Sequence, residues 1–519
     1  MPRTQDNQQA ETDLLPAVRA AAGVLLPAEL TAPILVGVSG GPDSLALLHL
    51  LRRWCVGREG VLHAIVVDHA LRPESAAEAA RVAALCESWG IAVAVCVVQA
   101  GAIAGGRAGL EDAARQERYR LFAAEAARIG ARTLALGHQA DDQAETLIMH
   151  LLRGAGLAGL TGMPTVRRSG DLLDRHAVPG DPNGVPFRPA IWRPLLGCRR
   201  AAIEAYCRAW GMTPSHDSTN DDLALRRNSV RRRLLPLMEE IFPGSTGLLA
   251  REAALLADDE TVLRGATDAA WARCAQTVDA LVLFDRVALR AEPPALQRRL
   301  LRRAWLTVRG IESALGLGAA PIEAAREAVQ APRSGGRWPL PGGIAVVVEH
   351  ERVAVGPGST IEATLRQQFG LPLAEPGWSA AAASNAGGTI VLLSGWSLQL
   401  LSASPAGTAG PASCPLPPTA PGDPPLVLRT WQGGDLLVLS DGRGTQKLQD
   451  WFVDRHIPRY VRRHLILLAS GARIYWIVGL ARFVTPGTAP QPLLRLLYNG
   501  AVLATPNDQH IRHDISDTR

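Results

Sequence analysis

The stretch Ile34-Leu-Val-Gly-Val-Ser-Gly-Gly-Pro-Asp-Ser44 joins an apolar, β-rich run to a glycine turn. Apolar residues at helical spacing follow from Leu45 to Leu51. This pattern predicts a buried strand, a tight turn and a helix that begins at the turn.

The same alternation continues along the chain. Further strands are predicted at 62–67, 91–98 and 133–136, and helices at 74–89, 110–128 and 140–152. Strands that alternate with helices of this length predict an α/β fold in which both faces of a parallel sheet are covered by helices. Such a sheet places its ligand at the carboxyl ends of the strands.

Composition changes divide the rest of the chain. Residues 1–228 form the predicted α/β domain, with a Pro/Gly-rich surface insertion at 164–189, and residues 229–355 form a mainly helical domain that ends in strand-like runs. Residues 356–425 are predicted to be a Pro/Gly/Ala-rich linker, because such a composition buries little apolar surface. Residues 426–505 are predicted to form a small α+β domain, and 506–519 a frayed tail.

The overall composition excludes several classes of protein. With 519 residues, 47% hydrophobic and 20% charged, the chain has enough apolar material for several globular domains. It shows no apolar signal segment and no membrane-spanning stretch, so a cytoplasmic location without membrane contact is expected. Its seven cysteines include no C-x-x-C pair, which disfavours a disulfide framework or a cysteine-ligated metal.

The charge is modestly basic. The net charge of +5 permits a nucleic-acid partner without requiring one. Lys447 is the only lysine among 54 basic residues. Arginine clusters are therefore informative only where they are locally dense.

The turn Ser39-Gly-Gly-Pro-Asp-Ser44 has the features of a phosphate site. Glycines let the backbone approach an anion, serines offer hydroxyls, and the helix start supplies free N–H groups. It is neither a Walker A loop nor a dinucleotide fingerprint, because the lysine and the G-x-G-x-x-G spacing are both missing. Asp43 is unfavourable beside an anion unless it holds a metal or a cationic group.

A second polar cluster, Gly137-His-Gln-Ala-Asp-Asp-Gln-Ala-Glu-Thr146, follows the strand predicted at 133–136. His138, Asp142 and Glu145 share one face of the next helix, and Asp141 pairs with Glu145 at i, i+4. Such a face can hold a magnesium ion, a cationic amine or both beside a triphosphate. The alternative is an acidic helix start that the helix dipole stabilises.

Arginines supply candidate anion contacts. Arg115 and Arg118 are candidates to neutralise phosphate charge in a transition state, the alternative being surface arginines of a helix. The segment Arg226-Arg-Asn-Ser-Val-Arg-Arg-Arg233 carries five arginines in eight residues and no acid, which favours contact with RNA phosphates over a solvated helix face.

These motifs resemble a known family. Ser39-Gly-Gly-Pro-Asp-Ser44 is similar to the PP-loop of the N-type ATP pyrophosphatases, which cleave ATP between its α- and β-phosphates. The chain resembles the tRNA(Ile)-lysidine synthases over about 32–245 and 429–483, through VDHALR at 67–72, EDAARQERYRLF at 111–122, GHQADDQAETLIMHLLRGAGLAGLTGM at 137–163, RPLLGCRRAAIEAYCRAWG at 193–211, HDSTNDD at 216–222, RRNSVRRRLLP at 226–236 and GGDLLVLSDGRGTQKLQDWFVDRHIPRYVRR at 433–463. The segments 164–190 and 356–425 depart from the family, as does Leu225, where an aromatic residue is usual.

The resemblance implies a reaction. ATP adenylates the C2 oxygen of the wobble cytidine in tRNA(Ile) with a CAU anticodon, pyrophosphate leaves, and the ε-amine of free L-lysine displaces AMP to give lysidine. It also implies that residues 1–228 are catalytic and that 229–355 and 426–505 contact tRNA. The oligomeric state is left open, with a homodimer as one alternative.

The resemblance assigns roles to individual residues. ATP and Mg²⁺ would be held by Ser39, Gly40, Gly41, Pro42, Asp43, Ser44, His69 and Gly137, with Asp43 and Asp141 as metal ligands. Arg115, Arg118 and His138 would steady the α-phosphate. Asp142 and Glu145 would hold the substrate lysine. Contacts to tRNA would come from Arg193, Arg227, Asn228, Arg231, Arg232 and Arg233.

Three other functions fit parts of the pattern. A tRNA-thiolating enzyme shares the PP-loop but typically uses paired cysteines and an iron–sulfur cluster, and this chain has no C-x-x-C pair. A PP-loop amidotransferase needs a glutaminase, and no N-terminal nucleophilic cysteine is present. A non-catalytic RNA-binding protein would be expected to have lost Asp43 or the 138–145 cluster.

Overall fold

The computed structural model describes residues 13–56, 61–68, 75–98, 109–168, 189–215, 226–310, 317–332, 335–382, 388–392, 395–402, 411–418, 420–438, 444–484, 492–499 and 501–502. The chain divides into two compact units: Met1–Asp268 with Ile311–Ser313, and Ala269–Gly310 with Ala314–Arg519.

The first unit alternates strands and helices. Its strands are β1 (Ile34–Gly37), β2 (Leu62–Asp68), β3 (Ala92–Val97), β4 (Thr133–Ala135), β5 (Val166–Arg167) and β6 (Ala190–Trp192). Its helices are α1 (Leu15–Ala22), α2 (Pro27–Thr31), α3 (Pro42–Trp54), α4 (Ser75–Ser88), α5 (Gly109–Ile129), α6 (Ala140–Leu152), α7 (Leu157–Leu160), α8 (Arg200–Ala209), α9 (Arg226–Ser229), α10 (Leu235–Ile241) and α11 (Ser245–Cys274), whose last residues lie in the second unit. A π-helical turn, Val230–Leu234, lies between α9 and α10.

One sheet organises the first unit. Its strand order is β3-β2-β1-β4-β6-β5, with all pairs parallel except β5 with β6. The chain moves outward from β1 to β3 and then returns to place β4 on the other side of β1. The carboxyl ends of β1 and β4 are therefore neighbours at the point where the strand order reverses, which is where open α/β sheets bind ligands.

The apolar run of β1 is buried on both faces. Ile34 and Val36 belong to the core shared with α3 and α8, whereas Leu35 belongs to the core that contains Tyr119 and Phe122 of α5. A strand covered on both sides has no polar alternation, which explains the unbroken apolar sequence. The predicted α/β architecture is confirmed.

The second unit begins with helices and an antiparallel sheet. The strands β7 (Ala275–Val278), β8 (Leu281–Asp285), β9 (Gly336–Leu340), β10 (Ile344–Val348) and β11 (Arg352–Pro357) pair in the order β7-β8-β11-β10-β9. The helices are α12 (Arg286–Ala291), α13 (Pro294–Arg309) and α14 (Ala319–Gln330). The prediction of a mainly helical segment missed β7 and β8, because a short apolar run such as 281–284 fits a strand or a helix equally well.

The remainder of the second unit contains α15 (Ile361–Gln367), α16 (Leu448–Asp454), α17 (Arg459–Arg462) and two further sheets. One sheet has the order β12-β16-β19-β20-β17-β18, with β21 beside β20, and is built from β12 (Ser379–Ala381), β16 (Leu426–Thr430), β17 (Leu436–Val438), β18 (Thr445–Lys447), β19 (Ile466–Ser470), β20 (Arg473–Ile477) and β21 (Ala481–Arg482). The other has the order β13-β14-β22-β15, with β23 beside β22, and is built from β13 (Thr389–Val391), β14 (Trp396–Leu401), β15 (Ser413–Pro415), β22 (Leu493–Tyr498) and β23 (Ala501–Val502).

The linker predicted at 356–425 is wrong for the residues that the structure describes there. They form α15, β12, β13, β14 and β15. Both β14 and β15 pair with β22, which lies beyond the predicted linker, and Leu398, Cys414 and Leu494 share one core. The apolar partner of this segment is thus distant in sequence. Much of the insertion predicted at 164–189 and the tail at 506–519 lie outside the described residues.

Across the described ranges, the helices are too short or too polar to cross a lipid bilayer.

The turn after β1 depends on one glycine conformation. Gly40 has φ of 82°, and a Cβ there would lie 2.9 Å from both Ser215 Oγ and Val82 Cγ2. We expect Gly40→Ala to lower the free energy of unfolding by about 1–2 kcal/mol from the left-handed conformation alone. Gly41→Ala is the matched control, because Gly41 has φ of −73° and its nearest neighbour would be Ser39 Oγ at 3.6 Å. It should cost about 0.5 kcal/mol, less than Gly40→Ala, because alanine is a poorer N-cap residue than glycine but meets neither a left-handed backbone nor a close neighbour. Equal denaturant midpoints for the two variants would contradict this account.

Candidate active site

The two polar clusters meet at the carboxyl edge of the sheet. A Cβ built on Gly137 would lie 2.9 Å from the carbonyl carbon and oxygen of Asp43 and 3.1 Å from the amide nitrogen of Ser44. Position 137, two residues beyond the end of β4, must therefore be glycine for the turn after β1 to approach so closely. Ser39–Ser44 and the start of α6 consequently line one site.

The turn leaves the start of α3 open to an anion. Ser44 Oγ accepts a hydrogen bond from Ser39 N at 3.1 Å and lies 3.0 Å from the Gly41 carbonyl oxygen, which fixes the loop. Gly41 is the N-cap residue and Pro42 follows it, so no side chain caps the free N–H groups of the first turn. A helix start with free N–H groups and a positive dipole end suits phosphate oxygens.

Asp43 is a half-buried carboxylate with little compensation. Its Oδ1 is buried without a hydrogen-bond partner, and its Oδ2 lies 3.8 Å from Nη2 of Arg200. Burial raises the pKa of Asp43 to about 6, against the opposing effect of Arg200 and with a further contribution from Asp142. A nearby cation would stabilise the charged form of this carboxylate, so the position is suited to binding one.

The protein alone offers an incomplete metal shell. Within the described residues, no three His, Cys, Asp or Glu side chains are grouped so that they could hold an ion. Mg²⁺ commonly binds through one or two carboxylates, with phosphates and water completing its octahedron. Asp43, with its unpartnered oxygen beside the phosphate-type turn, fits that arrangement.

Asp141, the second predicted metal ligand, contacts two arginines at the start of α8. Its Oδ2 accepts hydrogen bonds from Nε of Arg199 at 3.1 Å and from the backbone N–H of Arg200 at 3.0 Å. Asp141 therefore caps the start of α8, where a carboxylate is favoured by the helix dipole. The prediction that Asp141 is a metal ligand does not fit these contacts.

Two arginines cover the carboxylates predicted to hold lysine. Arg227 Nε lies 2.8 Å from Glu145 Oε2, and its Nη2 lies 3.3 Å from Asp142 Oδ1. Arg231 Nε lies 2.5 Å from Glu145 Oε1, and its Nη2 lies 2.9 Å from Asp142 Oδ1. We call these four residues the charge cluster. Arg227 and Arg231 were predicted to contact tRNA phosphates, and in this structure they turn inward instead.

The arginine-rich segment is thus divided between two directions. Arg226, Arg232 and Arg233 are exposed, whereas Asn228 is buried. The difference follows from helix geometry, because Arg227 and Arg231 are four residues apart and share the face that meets α6. The predicted tRNA contact remains available to the exposed side chains.

His138 is held neutral. Burial and the neighbouring guanidinium of Arg193 lower the pKa of His138 to about 3, despite the opposing effect of Asp142. Its Nδ1 is buried without a hydrogen-bond partner. A neutral imidazole offers a phosphate a hydrogen bond rather than a charge.

Arg193 lies in the interior rather than on a tRNA-facing surface. Its side chain is 2% exposed, and its Nη1 donates to the Pro164 carbonyl oxygen at 2.8 Å. Burial lowers the pKa of Arg193 to about 10. Direct contact with tRNA, as predicted, does not fit this position.

The remaining candidates lie on α5 or outside the described residues. Arg115 is exposed, with its guanidinium carbon 5.0 Å from the centroid of the Tyr119 ring. Arg118 is half-buried on the same helix. His69 lies outside the described residues.

Sequence reasoning missed Arg199 and Arg200. They contact Asp141 and Asp43 from the start of α8. Two arginines at a helix N-terminus oppose the helix dipole, and that unfavourable placement is a signal that they have acidic partners.

Asp43 gives a pH-dependent test of this electrostatic environment. Because its pKa is raised in the folded protein, ionisation between about pH 4 and 6 costs stability, and the full cost is present above pH 6. We expect Asp43→Asn to stabilise the protein increasingly from pH 4.5 to 7.5, by about 2–3 kcal/mol at the higher pH, because the aspartate pays the cost of ionising in a buried position and the amide does not. Asp141→Asn, which removes an ion pair, should instead destabilise at pH 7.5. Unfolding curves at the two pH values measure both, and a pH-independent effect of Asp43→Asn would contradict the raised pKa.

Comparison with known proteins identifies the family. Family models match at residues 16–238 for a PP-loop domain, at 284–353 for a TilS substrate binding domain and at 426–491 for a TilS substrate C-terminal domain. Among solved structures, similarity is found to the U34-tRNA thiolase NcsA from Methanococcus maripaludis, with 20% identity, a TM-score of 0.37, and coverage of 49% of this chain and 80% of that one. A crystal structure of a TILS C-terminal domain matches with 27% identity, a TM-score of 0.20, and coverage of 24% of this chain and 97% of that one.

Two curated relatives extend over most of the chain. The tRNA(Ile)-lysidine synthase of Symbiobacterium thermophilum is 37% identical over 465 residues, covering 86% of this chain and 90% of the relative. That of Geobacter sulfurreducens is 31% identical over 480 residues, covering 89% and 93%. With a PP-loop domain matched across the site described above, the chain belongs to the tRNA(Ile)-lysidine synthase family of ATP-dependent ligases.

Proposed function

We propose that the protein joins free L-lysine to C2 of the wobble cytidine in CAU-anticodon tRNA(Ile), through an adenylated cytidine, with release of pyrophosphate and AMP. The observation that carries this proposal is the approach of Gly137 to Asp43, which brings a phosphate-type turn and a carboxylate-rich helix into one site. Such a reaction takes place in the cytoplasm, where tRNA, ATP and free lysine are available together.

The turn would bind the nucleotide. Ser39, Gly40, Gly41, Pro42 and Ser44 lie at the open helix start and would contact ATP phosphates through backbone N–H groups and hydroxyls. Asp43 would hold Mg²⁺, which neutralises phosphate charge when bound. Arg115, Arg118 and the neutral His138 would contact the α-phosphate as cytidine O2 attacks and pyrophosphate departs.

The helix α6 would bind the amino acid. Asp142 and Glu145 would orient an ammonium group of lysine through charge and hydrogen bonds. The ε-ammonium must lose a proton before its nitrogen attacks C2, and a nearby carboxylate or the departing AMP would accept that proton. The C2–O bond to AMP breaks as the C2–N bond forms.

The test of this function is nucleoside analysis after incubation with ATP, labelled L-lysine and tRNA(Ile) transcript. We expect label in lysidine, at up to one per tRNA, with AMP and pyrophosphate formed in equal amounts. A transcript with uridine at the wobble position should remain unlabelled, and Asp43→Asn should reduce product strongly. Label that is released by mild alkali would indicate aminoacylation, and that result or absence of lysidine would refute the proposal.

The outward arginines should govern the salt dependence of tRNA binding. Arg232 and Arg233 are exposed on the segment that contributes the two arginines of the charge cluster. Replacing both with glutamine should lower the log–log slope of tRNA affinity against salt by up to about two units. The charge-matched control is Arg52→Gln with Arg132→Gln, two exposed arginines at the opposite, amino-terminal edge of the sheet, which should keep the wild-type slope. If the salt-dependence slopes of the two double variants were equal, Arg232 and Arg233 would not contact tRNA.

A further inference from the structure

The charge cluster is closed to a cation in the structure described here. Glu145 is fully buried, and each of its oxygens accepts a hydrogen bond from a guanidinium. Asp142 Oδ2 accepts from the backbone N–H of Gln139 at 3.0 Å, and its Oδ1 accepts from both arginines. No carboxylate oxygen in the cluster lacks a donor.

The cluster is also electrically neutral. Arg227, with Arg231, holds the pKa of Asp142 below its usual range against burial, and contact with Glu145 raises the pKa of Arg231. The four close contacts set two guanidiniums against two carboxylates, so the positive and negative charges of the cluster balance. An approaching ammonium would gain no net attraction, and it would have to replace a guanidinium to reach a carboxylate.

Arg227 and Arg231 lie between the buried carboxylates and solvent. The Arg227 and Arg231 side chains are 30% and 23% exposed, whereas Glu145 is fully buried, so the cations lie on the solvent side of the cluster. Arg231 lies in the π-helical turn Val230–Leu234, a rare local geometry that is frequent at functional sites. The adjacent Arg232 and Arg233 point outward from the same turn.

We propose that Arg227 and Arg231 act as a tRNA-operated latch on the lysine subsite. Without tRNA, their guanidiniums occupy the place of the lysine ammonium. Phosphates that bind the outer face of the segment attract at least one guanidinium away from Asp142 and Glu145. The subsite then carries a net negative charge and admits lysine, so that lysine binds tightly only after tRNA. This inference rests on the proposed function.

The test is equilibrium binding of labelled L-lysine to the full chain, with and without tRNA(Ile) and in the absence of ATP so that no turnover occurs. For the wild type, we expect tRNA to tighten lysine binding by about 5- to 150-fold, the usual range of coupling between sites. Arg227→Gln or Arg231→Gln should tighten lysine binding without tRNA and reduce the effect of adding tRNA.

An arginine outside the proposed binding surfaces controls for the loss of one positive charge. Arg208→Gln removes a charge from an exposed position of α8 and none from the charge cluster, so lysine affinity without tRNA should stay within twofold of wild type. Arg231→Lys keeps a cation but loses the forked contacts to both acids, and should give an intermediate affinity. It also serves if the glutamine variants fail to fold, which their thermal unfolding curves would show.

The two proposals fail in different ways. If wild-type lysine affinity is the same with and without tRNA while lysidine still forms, the latch is refuted and the proposed function stands. If no form of the protein binds lysine in the presence of tRNA and no lysidine forms, the proposed function itself is refuted.

Discussion

The contact between the backbone of Asp43 and Gly137 is the constraint on which the rest of the site depends. It exists because β4 pairs directly with β1 and because Gly137, two residues beyond the end of β4, has no side chain. Two turns that lie more than ninety residues apart in sequence thereby share one edge of the sheet. Without this approach, the open helix start and the acidic face of α6 would be separate features without a common ligand.

Electrostatics then determines what each group in the site is able to do. The carboxylates have unequal partners. Asp43 has one buried oxygen without a partner and only a 3.8 Å contact with Arg200, whereas Asp141, Asp142 and Glu145 have arginine partners at 3.1, 2.9 and 2.5 Å. The raised pKa of Asp43 and the lowered pKa of Asp142 follow from this difference. Carboxylates that share one edge of the sheet thus have distinct environments, which suit them to different roles.

Much of the fold and part of the site were predictable from local pattern. The strand–turn–helix at 34–51 and the strands at 62–67 and 133–136 were readable because unbroken apolar runs alternate with helical spacing. The directions of Arg227 and Arg231 were not readable, because a run of arginines does not show which members meet an acidic helix. The linker prediction at 356–425 failed because composition was judged without β22, the distant strand that completes the sheet.

The chemical type of the cations in the site has a further consequence. Among the described residues, the basic side chains that contact the site carboxylates are all arginines, namely Arg199, Arg200, Arg227 and Arg231, and Lys447 is the only lysine in the chain. A guanidinium remains protonated at physiological pH and is a poor nucleophile, whereas a desolvated amine readily becomes reactive. Under the proposed function, the protein therefore surrounds an electrophilic carbon with positive charges that do not attack it. The free amino acid would meet no competing primary amine from these side chains.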